Sequence, residues 1–235
     1  MLNPCSLRRT ARVLSRGGFT LVELLVVIGI IAILAGVALG PITNGIKKAK
    51  QSSGMQSAHA IGLAMYSYAN DNSQTYPDIA GADAGSIAQQ LLGGGYVTDP
   101  SIFFISGGTA TKYTGTTTAA ATTIAKTNLS WDFAVNGGAG LSSTSYSYLP
   151  LLWSSMTGGT TIPNLKAAAQ TAITAQPATT NPFQQDGLAV FYINNAAKFV
   201  NSSIVAGAKT VTMVTTTDNT GDASSSNATI ASGGG

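Results

Sequence analysis

One carboxylate stands out in this chain by its position. Glu23 is the single glutamate among 235 residues, and it follows Arg16-Gly17-Gly18-Phe19-Thr20-Leu21-Val22 at the entrance to a long apolar run. Gly18 before Phe19 is a small-residue junction suited to proteolysis. A cut between them would create an α-amino group on Phe19, four residues from Glu23. One helical turn brings the fifth residue near the first, so cleavage would make a cation for the carboxylate, in the same chain or in a neighbouring copy. The acid needs a partner, because an ionisable side chain inside a membrane span costs about 2.5–3.5 kcal/mol on insertion scales.

Other chemistry finds few residues to carry it. His59 is the lone histidine, Cys5 the lone cysteine, and the remaining acids are eight scattered aspartates. No Ser-His-Asp set, metal motif or phosphate loop has a recognised spacing, which argues against an enzyme. The formal charge of +3 includes Arg8, Arg9, Arg12 and Arg16; without them eight lysines face nine acids. The rest of the chain is therefore near neutral and offers no footprint for a nucleic acid.

The element that must position Glu23 is residues 19–42, which hold a single charge. As a helix rising about 1.5 Å per residue this stretch reaches roughly 36 Å, enough to cross a bilayer core of about 30 Å. Residues 1–18 read as a leader, and their arginines should stay cytoplasmic by the positive-inside rule. Lys47, Lys48 and Lys50 crowd the other end of the span; they read as a solvated helix face, with lipid headgroups or a neighbouring subunit as alternatives. A removable secretory signal, cut near Gly36-Val37-Ala38, would have to tolerate an apolar run longer than the usual 7–15 residues, interrupted by a glutamate. A plain signal anchor leaves the Gly-Phe-Thr-Leu-x-Glu arrangement unexplained.

That arrangement, with the Leu-Leu-Val-Val-Ile-Gly-Ile-Ile-Ala-Ile-Leu-Ala that follows, resembles the processing and assembly segment of type IV pilins and type II secretion pseudopilins. The resemblance covers Arg16 to about Asp71. It implies that a prepilin peptidase cuts after Gly18 and methylates Phe19, and that Glu23 sets register during filament assembly. It implies further partners: copies of the same chain, minor pilins or pseudopilins, and an inner-membrane assembly platform. The implied location is the bacterial inner membrane, with a single pass and the head outside the cytoplasm, and after assembly a filament in the periplasm or on the cell surface. The family commonly places a proline one position before Pro41 and a glycine at Ala32. Gly29, Gly36 and Gly40-Pro41 are alternative weak points, glycine and proline costing about 1 and 3 kcal/mol relative to alanine inside a helix, so a kink or melted turn is expected near Gly40. The absence of cysteine after residue 18 leans towards the pseudopilin branch.

Beyond Pro41, residues 43–72 continue as an amphipathic helix, with Ala58, Ile61, Met65 and Tyr68 on the face that packs against a sheet. The stretch from Tyr68 through Asn70-Asp71-Asn72 to Tyr76-Pro77-Asp78 again resembles major pseudopilins. Residues 73–217 read as a β-rich head. Within it a short helix is expected at 86–92, strands at 102–105, 129–135, 145–153, 188–193 and 198–200, and an edge strand at 211–217. Asn194-Asn195 should turn a hairpin. Residues 107–128 read as a surface loop and 218–235 as a flexible tail. In that tail Asp218 and Asp222 flank a glycine in Asp-Asn-Thr-Gly-Asp, and major pseudopilins often bind calcium in a C-terminal loop, so the resemblance implies a calcium site there, although the spacing is not that of an EF-hand.

The expected fold is thus α+β and pilin-like: a long N-terminal helix packed on a small antiparallel sheet. The expected function is a structural filament subunit of a secretion pseudopilus or a type IV pilus-like fibre, with no required cofactor and calcium as the one candidate ion. The alternative is a membrane-anchored adhesin or binding protein that uses the same leader.

Overall fold

The computed structural model describes residues 18–78, 84–115, 124–135, 140–144, 147–155, 173–177, 181–205, 207–214 and 229–231. The fold is α+β and pilin-like, and the chain divides into two units, Met1–Gly45 and Ile46–Gly235. A single helix, α1 (Leu21–Asp71), supplies residues to both. No turn melts at Gly40-Pro41: the helix is unbroken there, and the Thr43 hydroxyl donates to the Gly40 carbonyl at 2.8 Å. Proline removes one ladder bond, which a helix with 30 residues after it absorbs without breaking.

In the first unit the described part of α1 is apolar on every side. Its most apolar 18-residue window has a mean hydropathy of 2.8 and none of it is buried within the chain. A core helix of a water-soluble domain would have its apolar face covered by its own fold.

The second unit has one hydrophobic core. From α1 it takes Ala58, Ile61 and Met65, all fully buried, with Tyr68 packed at the margin. The stripe ends at Asp71, where Ser73 and Gln74 enter the left-handed region at φ of 52° and 63° and the Gln74 amide returns to the Ala69 carbonyl at 2.7 Å. Helix α2 (Ala84–Gly93) adds Ile87, Ala88, Leu91 and Leu92.

The main sheet has the order β5-β4-β2-β1-β8, all antiparallel, from β1 (Trp131–Val135), β2 (Pro150–Ser154), β4 (Gly187–Tyr192), β5 (Ala197–Asn201) and β8 (Thr229–Ala231). Every residue of β1, β2 and β4 is buried, so these strands are covered on both faces. Alternation along β4 shows how: Phe191 meets α1, while the next residue, Tyr192, donates its hydroxyl to the Met213 carbonyl at 2.7 Å. Met213 lies on β7 (Ala208–Val214), the middle strand of a second sheet, β3-β7-β6, with β3 (Ile173–Ala175) and β6 (Ser203–Val205). The expected hairpin forms, with Asn195 at φ 64° and its amide bonded to the Tyr192 carbonyl at 3.0 Å.

Four expectations are corrected. Residues 102–105 are not a strand, because Asp99-Pro100-Ser101 starts a 3₁₀ turn, Pro100–Phe103. The Asp99 carboxylate takes the Ser101 amide at 2.8 Å and hydroxyl at 2.6 Å, a cap that outweighs the strand preference of the apolar residues behind it. The hydrogen bonds from the Ser101 hydroxyl and amide also hold the Asp99 carboxyl below the usual aspartate range. The strand expected at 211–217 is central, since β6 and β3 flank it. Instead of one sheet there are two. In the expected tail, Thr229–Ala231 joins the open edge of β1 as β8, pairing antiparallel with it from Phe133 opposite Ala231 to Val135 opposite Thr229.

Close approach of α1 to the sheet depends on Gly62, where an added Cβ would lie 2.2 Å from the Phe191 ring. Phe191 is 1% exposed and cannot swing away. Gly62→Ala should therefore destabilise the head by about 1–3 kcal/mol, the usual cost of overpacking. Gly45→Ala, which meets nothing within 4 Å, is the control. Thermal unfolding of the full chain in detergent, followed by tryptophan fluorescence, should show a lower midpoint for Gly62→Ala alone.

Candidate functional site

The site is the entrance to α1. Thr20 precedes the first helical residue, Leu21, and Glu23 lies in the first turn. The Thr20 hydroxyl donates to Glu23 Oε2 at 2.7 Å, the Thr20 amide donates to the same oxygen at 2.9 Å, and the Glu23 amide donates to Thr20 Oγ1 at 3.2 Å. This is a reciprocal capping box, in which two amides without helical partners are satisfied by each other's side chains. The acid also sits at the positive end of the helix dipole.

Thr20 is the residue that sequence reasoning missed. Its signal was present as Thr-x-x-Glu ahead of an apolar run, but attention to the charge of Glu23 obscured it. The cap alters the electrostatic reading, because the carboxylate has donors within its own first turn.

Gly18 and Phe19 lie just outside the helix, and Phe19 is 74% exposed. A Cβ built on Gly18 meets nothing within 4 Å, and Gly18 is not among the glycines with positive φ. Among the described residues, nothing in this chain requires glycine there. Asp218 and Asp222, the calcium candidates, lie outside the described residues. Among the described residues no group of three His, Cys, Asp or Glu side chains is placed to hold a metal. His59 is half-buried and packs edge-on against Phe191 at 5.9 Å between ring centres, a structural position.

The cap makes a test of its own. Thr20→Val removes both hydroxyl bonds, whereas Thr20→Ser keeps them. Loss of such a cap should speed hydrogen exchange of the Glu23 amide by about fivefold, with Thr20→Ser close to the parent. Equal exchange in all three proteins would show that the box contributes nothing.

Comparison with known families shows that residues 14–39 match the family model described as the prokaryotic N-terminal methylation motif. No curated protein and no solved structure matches the chain. The matched stretch contains Gly18, Phe19, Thr20 and Glu23 together with most of the apolar run 19–42. The chain carries a type IV pilin- and pseudopilin-like prepilin segment.

Proposed function

We propose that this chain is a structural subunit of a pilus-like filament, either a type II secretion pseudopilus or a type IV pilus-like fibre. Prepilin peptidase removes residues 1–18 and methylates Phe19. The subunit then waits in the inner membrane on residues 19–42, with its head outside the cytoplasm, and joins the fibre through α1. The sequence features that favour the pseudopilin branch are the lack of cysteine beyond Cys5 and the Tyr68–Asp78 stretch.

The observation that carries this reading is the exposure of α1. Fifteen large apolar side chains from Leu21 to Ile46 are exposed. In the membrane lipid covers them, and in a filament the same helices of neighbouring copies do. Gly29, Gly36, Gly40 and Gly45 support the second arrangement, because each faces open space, and small residues let helix backbones approach closely. Repeating one non-closing contact between copies gives a fibre.

Within that fibre Glu23 pairs with the amino group of Phe19 in an adjacent copy. The capping box supports this role by holding the carboxylate at the helix mouth, where an incoming amino group can exchange with the Thr20 hydroxyl. Charge neutralisation then favours the one axial register in which the two meet.

Two measurements test the reading. Intact mass spectrometry of the membrane-extracted protein should give a chain that begins at Phe19 and carries one added methyl group; an uncut Gly18–Phe19 bond would falsify it. Glu23→Val should leave leader removal intact and abolish filaments in electron micrographs, and normal filaments from that variant would remove the register role.

A further inference from the structure

Residues 181–186 form a loop that closes on α1 by three different contacts. Lys47 Nζ lies 3.2 Å from the Asp186 carboxylate, and Lys50 Nζ donates to the Pro182 carbonyl at 2.5 Å. The Phe183 ring sits over Gly54, where a Cβ would come within 2.3 Å of it. Beside these contacts lies a surface cavity of about 190 Å³, lined by Ile46, Lys47, Lys50, Gln51, Phe183 and Asp186 among others. A water molecule's share of liquid volume is about 30 Å³, so the cavity is roomy enough for a tetrahedral oxyanion.

Its chemistry is selective. An ammonium has three N–H donors, and Lys50 uses one, on Pro182, among the described residues. Burial also holds the Lys50 pKa below the usual lysine value, so an anion that restores favourable surroundings to the ammonium is welcome there. Lys47 and Lys50 against Asp186 leave the lining with one net positive charge, and a phosphodiester carries one negative charge. Ile46 and Phe183 add an apolar lip that an inorganic anion would not use.

The chain places this lining close to lipid. Five residue steps separate Ile42, the end of the apolar stretch, from Lys47. Five residues span at most about 18 Å whatever their path, so Lys47 stays near the headgroup layer of a bilayer about 40–45 Å thick around a core of about 30 Å. We propose that the cavity binds the phosphodiester of a phospholipid headgroup in the leaflet nearest the head, through Lys50 and Lys47, with Ile46 and Phe183 against the glycerol carbons. This rests on the membrane reading of residues 19–42 given above. Such a lipid holds the subunit at a fixed depth before assembly, and extraction into a filament releases it.

The test uses the full chain in nonionic detergent, titrated with short-chain phosphatidylglycerol, diacylglycerol or inorganic phosphate and followed by native mass spectrometry. One phosphatidylglycerol per chain is expected, with inorganic phosphate at least tenfold weaker and diacylglycerol absent. Lys50→Met should weaken lipid binding at least tenfold, a charged hydrogen bond contributing that much. Lys47→Gln, at a side chain 60% exposed and so neutral for folding, should weaken it severalfold. Far-UV circular dichroism checks that both variants fold. Absence of the lipid adduct, equal binding by Lys47→Gln and the parent, or equal binding of diacylglycerol overturns the site, and inorganic phosphate binding as tightly as the lipid overturns its lipid assignment. Partition of the chain into phosphatidylcholine vesicles reports separately on the membrane reading, since its failure would remove the span, whereas partition without an adduct removes the headgroup site alone.

Discussion

The constraint on which the rest depends is that, among the described residues, nothing in the chain buries residues 21–46. Full burial of a large aliphatic side chain is worth about 1.5–3 kcal/mol. The fifteen exposed here, each 46–79% open, therefore represent on the order of 15–20 kcal/mol if left in water. That matches or exceeds the whole net stability of an ordinary domain, about 5–15 kcal/mol. Lipid, or other copies as proposed above, would cover this helix, and both covers exclude water. Inside either one, a single carboxylate dominates the electrostatics of its surroundings.

The capping box gives that carboxylate a defined starting point. Thr20 and Glu23 satisfy each other's amides at the one place where the helix backbone lacks partners. The bonds are local, so they form wherever the first turn of α1 forms. They do not neutralise the charge, so under the proposed assembly an amino group brought close would still find an acid to pair with.

The other half of α1 is governed by packing. Gly54 and Gly62 let Phe183 and Phe191 approach the helix, while Ala58, Ile61 and Met65 fill the space between. The same loop that carries Phe183 receives Lys47 and Lys50, so the lysines expected to form a solvated face are drawn into an ion pair and a carbonyl contact. Sequence reasoning placed the charges correctly along the helix. It could not know that a loop more than 130 residues away would return to them.

Much of this protein was legible without coordinates, for a physical reason in each case. The membrane-length helix follows from a run of apolar residues broken only by Glu23. The hairpin at Asn195 follows from a residue that tolerates left-handed backbone, and the end of α1 from the turn-forming Asn70-Asp71-Asn72-Ser73, although the left-handed residues there are Ser73 and Gln74; all of these are signals local in the chain. What only the tertiary structure decided depends on contacts between distant residues: the second sheet under Tyr192, the capture of β8 by the edge of β1, and the burial of β1, β2 and β4 on both faces. The 3₁₀ turn at Pro100 was local too, but its Asp-Pro-Ser signal competed with an apolar run, and hydrogen bonding at the cap prevailed. Sequence reports what each segment prefers, while the fold decides which surfaces meet and so which preference is satisfied.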